Sequence, residues 1–389
     1  MEGSPMSPQA HAASLYCKSV LVYPYNWSCW LDLASLCSSS SQILAYVDGA
    51  LEDIKGNVMY TMFLIRVFTE TQRNDGALSL IDSISDLFGG ENGTCEYLKS
   101  QSAIAYYNLR DFDRASIAFK SLLSSNPYNV DNVDVYSNIL YVKEDRAELC
   151  ELSRRVVKVD KYRPEVCCTI GNYYSLKGNH GKAVQYFQRA LKLNRKFLAA
   201  WTLMGHEYVE MRKTSAAIEA YRRAVDINDR DYRAWYGLGQ VYEILNMLLY
   251  ALYYYKKAAS LRPYDARMWC ALGSCFVSLD RRREAIKSYE RAVTHNDREN
   301  LATRKLAKLY REEGENGRAA ACYVRLIGHD STGCVDASEA EALLFLSHHF
   351  ASLKNYENAA IMCSRLLEYP GPEKEEAQAL IRDIRSRMS

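Results

Sequence analysis

The stretch Ala200-Trp-Thr-Leu-Met-Gly-His-Glu-Tyr208 returns 34 residues later as Ala234-Trp-Tyr-Gly-Leu-Gly-Gln-Val-Tyr242. Both copies carry a tryptophan, a glycine four residues after it and a tyrosine three residues further on. Agreement in several positions at one spacing indicates an internal repeat, and a repeat has to be identified before any division into globular domains. The sequence therefore predicts a fold built from a structural unit of 34 residues.

The same spacing aligns further positions along the chain. One aromatic column comprises Tyr174, Tyr208, Tyr242, Phe276 and Tyr310, and a second comprises Phe187, Tyr221, Tyr255, Tyr289 and Tyr323. Glycine recurs at Gly171, Gly205, Gly239 and Gly273, and alanine at Ala183, Ala217, Ala251, Ala285 and Ala319. Small residues let two antiparallel helices approach closely, while rings fill the space beside them. The unit is predicted to be a helical hairpin.

This pattern resembles the tetratricopeptide repeat (TPR), so the predicted fold is an all-α TPR solenoid, a right-handed superhelix of antiparallel helical hairpins. Six regular hairpins are expected in 130–333, at about 130–163, 164–197, 198–231, 232–265, 266–299 and 300–333. The remaining segments are a flexible N-terminal segment, a partial repeat, two weaker repeats, a C-terminal repeat and a capping helix, at 1–13, 14–57, 58–129, 340–372 and 373–389 respectively.

Composition and motifs argue against an enzyme and against several kinds of partner. The net charge of +2 gives no field for nucleic acid. No apolar run is long enough to span a membrane, and the N-terminus does not have the order of a signal peptide. Nucleotide-binding, hydrolase and zinc-ligand motifs are missing, and adjacent His348 and His349 point about 100° apart on a helix. We expect no catalytic residue, cofactor or metal.

A binding function is expected instead, because the first helices of such repeats line an inner groove. Their free slots hold polar and charged side chains that suit an extended peptide. The candidate groove residues are Asn172, His206, Glu207, Arg233, Tyr236, Gln240, Glu243, Arg267, Arg304 and Lys308. A co-chaperone or another TPR adaptor is the alternative, although the lysine and asparagine pairs that a carboxylate clamp needs are not found on successive first helices.

Several long stretches go beyond the generic repeat and resemble the family of anaphase-promoting complex subunit eight, also called the cell division cycle protein 23 family. They include Tyr23-Pro-Tyr-Asn-Trp-Ser-Cys-Trp-Leu31, Ile170-Gly-Asn-Tyr-Tyr-Ser-Leu176 and Phe187-Gln-Arg-Ala-Leu-Lys-Leu-Asn194, together with the first-helix stretches quoted above. The likeness is strongest from about 160 to 309. This resemblance implies a non-catalytic scaffold subunit of a cell-cycle ubiquitin ligase, found in the nucleus and cytoplasm.

The resemblance also implies partners. Family members bind related TPR subunits and scaffold subunits of the complex, and their groove receives a short basic motif of a coactivator; Asn172 and Glu207 would take that role here. The family's additional N-terminal repeats form a homodimer, and most of them are missing from this sequence, so homodimerisation stays open. Ser4 and Ser7, each followed by proline, fit a proline-directed kinase.

Overall fold

In the computed structural model, residues 8–39, 41–71, 73–88, 95–295, 297, 300–329, 337–367 and 373–388 are described. Ser4 and Ser7 lie outside them. These residues form 22 α-helices and two short 3₁₀ segments, Glu52–Ile54 and Asp86–Phe88, with no strand among them. The chain divides into two compact units, Met1–Ala200 and Trp201–Ser389.

The helices of the first unit are α1 (Pro8–Val22), α2 (Trp27–Ser39), α3 (Ser41–Ala50), α4 (Val58–Glu70), α5 (Asn74–Ser85), α6 (Glu96–Asn108), α7 (Phe112–Ser125), α8 (Val133–Val142), α9 (Arg146–Val159), α10 (Pro164–Leu176) and α11 (His180–Leu193). From α4 onward they pack as consecutive pairs, α4 with α5 through α10 with α11. The predicted all-α TPR architecture is confirmed in this unit.

Helix α12 (Leu198–Glu210) runs into the second unit, which continues with α13 (Thr214–Ile227), α14 (Tyr232–Ile244), α15 (Leu248–Leu261), α16 (Ala266–Ser278), α17 (Arg282–Thr294), α18 (Leu301–Glu312), α19 (Asn316–His329), α20 (Ala337–Ser352), α21 (Tyr356–Leu366) and α22 (Glu373–Met388). Pairing continues from α14 with α15 to α20 with α21, and α22 packs on both members of the last pair.

Two predicted boundaries differ from the structure. The segment 1–13 was expected to be flexible, but α1 begins at Pro8, because proline is well suited to the first turn of a helix and Ala13 is completely buried. Helix α20 begins at Ala337 rather than at 340. Glu339 in its first turn bonds Arg365 of α21 at 3.1 Å, which anchors that turn.

Glycine and tyrosine together set the distance between the two helices of a hairpin. A Cβ added at Gly205 would lie 2.5 Å from the Tyr221 ring, and one added at Gly239 would lie 2.5 Å from the Tyr255 ring. A Cβ added at Gly273 would lie 2.6 Å from the tyrosine ring on the second helix of the same hairpin. No Cβ fits at such distances. The glycine column is therefore required for the second-helix rings to pack against the first helix.

In the seven hairpins from α6–α7 to α18–α19, the turn uses a left-handed backbone position that recurs every 34 residues. It comprises Arg110, Glu144, Gly178, Arg212, Asn246, Asp280 and Gly314, with φ between 55° and 78°. Only two of these residues are glycine, although a side chain is unfavourable in this conformation. The hairpin turn is thus fixed by the packing of its helices.

Tryptophans close the entry of three first helices. The indole N–H of Trp235 donates to the Asp229 carbonyl at 2.6 Å, and that of Trp269 donates to the Pro263 carbonyl at 2.7 Å. In the first unit, Trp30 donates to the Pro24 carbonyl at 2.7 Å. Each bond spans six residues and fixes the chain that leads into the helix.

Candidate peptide-binding groove

In the second unit, the hydroxyl groups of three second-helix tyrosines form hydrogen bonds with side chains on the first helix of the same hairpin. The rings of Tyr221, Tyr255 and Tyr289 are 1% exposed or less. Their hydroxyls lie 2.8 Å from His206 Nδ1, 2.5 Å from Glu243 Oε2 and 3.1 Å from Ser274 Oγ, respectively. Two of the predicted groove residues, His206 and Glu243, are therefore oriented from beneath by buried tyrosines.

We call the corresponding surface the first-helix wall of the second unit. It consists of the slot occupied by His206, Gln240, Ser274 and Lys308, together with Tyr236, Glu243, Arg304 and Lys305. Lys305 Nζ donates to Ser274 Oγ at 2.7 Å, which extends the hydrogen-bonded chain from Tyr289 to the next hairpin. Ser274 and Lys305 were not among the predicted residues, although Ser274 occupies the same 34-residue slot as His206 and Gln240.

His206 is neutral at pH 7. Its pKa is lowered to about 4, mainly by burial and also by the charge of Arg233, while the charge of Asp231 opposes the shift. Burial, with the nearby Glu207 and Glu210 carboxylates, raises the pKa of Tyr221, so that its hydroxyl stays protonated. When that hydroxyl donates to Nδ1, the histidine presents Nε2–H as a hydrogen-bond donor.

Glu207 lies in a different environment from the one expected. It was predicted on the free face of α12, but it is 5% exposed. Its repeat slot is filled by Val241 and Cys275 in the next two hairpins, both of which are completely buried. The residue next to a wall slot therefore points into a core slot, because successive helical positions are rotated by about 100°.

Asn172 belongs to the first unit and is also buried, at 2% exposure. Its side-chain amide donates to Ser137 Oγ at 2.8 Å and to Asn138 Oδ1 at 2.7 Å. An amide group has two hydrogens, and both are used. The expected donation from Asn172 to a peptide carbonyl does not match this geometry, and the amide instead joins α10 to α8.

The predicted groove residues Arg233 and Arg267 lie in the first turns of α14 and α16, respectively. Arg233 Nε bonds Asp231 at 2.9 Å, and Arg267 bonds Asp265 at 2.8 Å. Both aspartates also cap their helices through a backbone N–H. Burial by itself raises the pKa of Asp265, but the bonds and charge of Arg267 outweigh it, so the pKa is lowered overall. These pairs rigidify the turns beside the wall.

The remaining candidates have different surroundings. The ring of Tyr236 packs 5.5 Å from that of Tyr255, and burial raises its pKa, so it offers a protonated hydroxyl. Gln240 and Arg304 are half-buried. Lys308 is exposed and lies 3.5 Å from Glu341, which Arg311 also contacts at 2.9 Å. The wall therefore changes from hydrogen-bonding groups and a carboxylate on α12 and α14 to cations on α18.

Neither a metal site nor a membrane span was found in the part of the chain that the structure describes. No group of three or more acidic, histidine or cysteine residues there has the geometry to hold an ion. No helix there is both long and apolar enough to cross a bilayer.

Comparisons with known proteins agree with this architecture. TPR family models match residues 164–197, 202–266, 266–296 and 304–373, and the model described as "Anaphase promoting complex subunit 8 / Cdc23" matches residues 6–103. The fold resembles a chain in the crystal structure of the Cut9–Hcn1 hetero-tetramer of the anaphase-promoting complex, with a TM-score of 0.65. That match covers 97% of this chain and 73% of the other at 17% identity, which shows the fold alone.

Curated relatives extend the match to sequence. "Anaphase-promoting complex subunit 8" of Arabidopsis thaliana is 51% identical over 95% of this chain, and that of Dictyostelium discoideum is 48% identical over 97%. The chain spans 62% of the length of each of these relatives.

These observations define a tetratricopeptide-repeat protein built from consecutive helical hairpins. Within that class, the resemblance noted in the sequence is confirmed: the chain is similar to anaphase-promoting complex subunit 8 proteins over nearly its whole length, and its residues 6–103 match the subunit 8 / Cdc23 family model.

Proposed function

We propose that this protein is a non-catalytic scaffold subunit of the anaphase-promoting complex, a cell-cycle ubiquitin ligase. In this role it binds neighbouring TPR and scaffold subunits and receives a coactivator peptide at the first-helix wall. Support comes from relatives of that name at about half identity over nearly the whole chain. Catalysis belongs to other subunits in this proposal, and the protein acts in the nucleus and cytoplasm.

The observation that carries the peptide-binding part is the set of polar groups along the wall. His206 presents the Nε2 atom of its ring, Tyr236 a hydroxyl and Glu243 a carboxylate, and buried tyrosines hold His206 and Glu243 in place. Pre-oriented groups lose little entropy when a ligand binds. The backbone of an extended peptide can form hydrogen bonds with His206 and with the Tyr236 hydroxyl, while Glu243 pairs with a basic side chain of the peptide.

Calorimetric titration with a synthetic peptide of the coactivator's basic motif tests this site. Glu243→Gln keeps the shape but removes the charge, and should weaken binding about tenfold. Glu219→Gln is the matched control, because Glu219 is exposed on the second helix α13. Equal affinity of the two variants for the peptide would remove Glu243 from the site.

The alternative function, a co-chaperone or another TPR adaptor, predicts other partners. Affinity purification of the protein from dividing cells should recover subunits of the ubiquitin ligase. Heat-shock proteins without those subunits would favour the alternative. Light scattering of the purified complex would also show whether one or two copies of this chain are present, which decides the question of homodimerisation.

A further inference from the structure

The second helices of the second unit border a cleft of about 490 Å³ between α15, α16 and α17. Its apolar base is formed by Trp269, Leu272 and Phe276 of α16, and the last two are 2% and 7% exposed. None of these residues belongs to the first-helix wall. The cleft is therefore a separate surface with an apolar floor.

Three cations line the cleft. Lys256 Nζ lies 5.9 Å from the centroid of the Phe276 ring, and the Arg291 guanidinium lies 4.8 Å from that of Trp269. Lys287 is exposed beside them. Among the described residues, no carboxylate lies within ion-pair distance of any of the three cations.

The acidic residue in the cleft is paired mainly with an arginine at the border of the cleft. Glu284 accepts hydrogen bonds from the Nε and Nη2 atoms of Arg281, at 3.1 Å and 2.5 Å. Arg281 is its closest ionic partner and also lies over the Phe276 ring. The cleft and its border are thus left with an excess of positive charge.

The preceding hairpin shows what fills the equivalent space. There Tyr242 stacks on Tyr254 at 5.2 Å with an interplanar angle of 6°, and on Tyr250 at 5.5 Å. The corresponding residues one repeat later are Phe276, Ser288 and Glu284. The cleft is open because a serine stands where the previous hairpin places a tyrosine ring.

We propose that this cleft binds an acidic segment of a partner protein, with one aromatic side chain on the apolar floor and flanking carboxylates on Lys256, Lys287 and Arg291. The volume suits one aromatic residue with part of its backbone, since the equivalent space one hairpin earlier holds a ring. The partner's carboxylates would form ion pairs with these cations, which have no carboxylate within ion-pair distance among the described residues. The site is additional to the proposed groove and does not depend on the coactivator peptide.

The test uses an end-blocked peptide with para-fluorophenylalanine between two glutamates on each side, followed by fluorine NMR. The full-length protein should bind it with a Kd below about 1 mM. Replacement of the glutamates by lysines, or of the aromatic residue by alanine, should weaken binding at least about tenfold. Absence of binding at about 1 mM, or equal binding of the lysine peptide, would overturn the proposal.

Two variants locate the site. Ser288→Tyr restores the ring found in the preceding hairpin and should reduce affinity at least about tenfold while the thermal melt stays cooperative. The double variant Lys287→Glu/Arg291→Glu should do the same through charge. Arg223→Glu is the matched control. Arg223 occupies the repeat position that corresponds to Arg291 two hairpins earlier, and it is exposed and lies outside the cleft. Unchanged affinity in the double variant would exclude this cleft, even if Ser288→Tyr failed to fold.

Discussion

At the scale of single residues, the left-handed turn position shows how packing overrides local preference. Arg212 has φ of 58° at the slot where Gly178 and Gly314 have 74° and 78°. A side chain in this region costs about 1 kcal/mol. We expect Arg212→Gly to raise the free energy of unfolding by up to about 1 kcal/mol, as measured by urea denaturation. Gly314→Ala is the opposite control and should lower it by a similar amount; the reverse order would refute the strain at this slot.

His206 gives the second residue-scale prediction. Its pKa is about 4 in the folded protein and 6.5 ordinarily, so the unfolded chain binds more protons between these values. Stability therefore falls as the pH decreases from 6.5 towards 4, and the loss between pH 7.5 and 5.5 should be about 1 kcal/mol.

Urea denaturation at the two pH values, for the wild type and for His206→Gln, measures this contribution. Glutamine is the residue that the next hairpin carries at the same slot, at Gln240. The variant should lose about 1 kcal/mol less on acidification than the wild type. Identical pH dependence would mean that His206 is not held neutral by burial beside Tyr221.

At the scale of elements, the sequence columns could predict the all-α hairpins because each column has a steric cause. Glycine admits a ring, as at Gly239 and Tyr255, and that cause operates within one repeat. The surroundings of Asn172 could not be predicted in the same way. Its partners Ser137 and Asn138 lie one hairpin earlier, and bonding to them depends on the exact rotation of α8 against α10.

Burial at the groove was predicted less well for a related reason. Wall slots and core slots alternate within less than one helical turn, so a neighbour such as Glu207 falls on the other side. The apolar residues Val241 and Cys275, which occupy the slot of Glu207 in the next two hairpins, do indicate in the sequence that this slot is buried. The left-handed turn position is harder to predict from the sequence, since only two of its seven residues are glycine.

The packing of one helix pair can be tested through a matched pair of glycines. In Gly239→Ala the new Cβ would lie 2.5 Å from the Tyr255 ring, so α14 and α15 must separate. We expect a loss of about 1–3 kcal/mol. In Gly317→Ala of α19 no atom lies within 4 Å, and alanine's higher helix propensity should add up to about 1 kcal/mol. Urea denaturation of both variants measures the difference; equal effects would contradict close contact at Gly239.

At the scale of the whole molecule, a repeat protein distributes its stability among neighbouring hairpins. Helix α22 covers the last pair through Ala377, which is completely buried in a cluster with Leu343, Cys363 and Leu366. A charge at this position has no partner in that cluster, so Ala377→Glu should detach α22 and expose the apolar face of α20 and α21.

Because contacts are made mainly between consecutive helices, the effect of Ala377→Glu should stay local. Hydrogen exchange followed by mass spectrometry should show faster exchange in α20–α22 and unchanged protection in the first unit, Met1–Ala200. Gln378→Glu introduces the same charge at the exposed neighbouring position and should leave the exchange pattern as it is. Faster exchange throughout the chain in Ala377→Glu would instead mean that all hairpins unfold in one cooperative transition. A substitution in α22 would then destabilise the groove and the cleft as well.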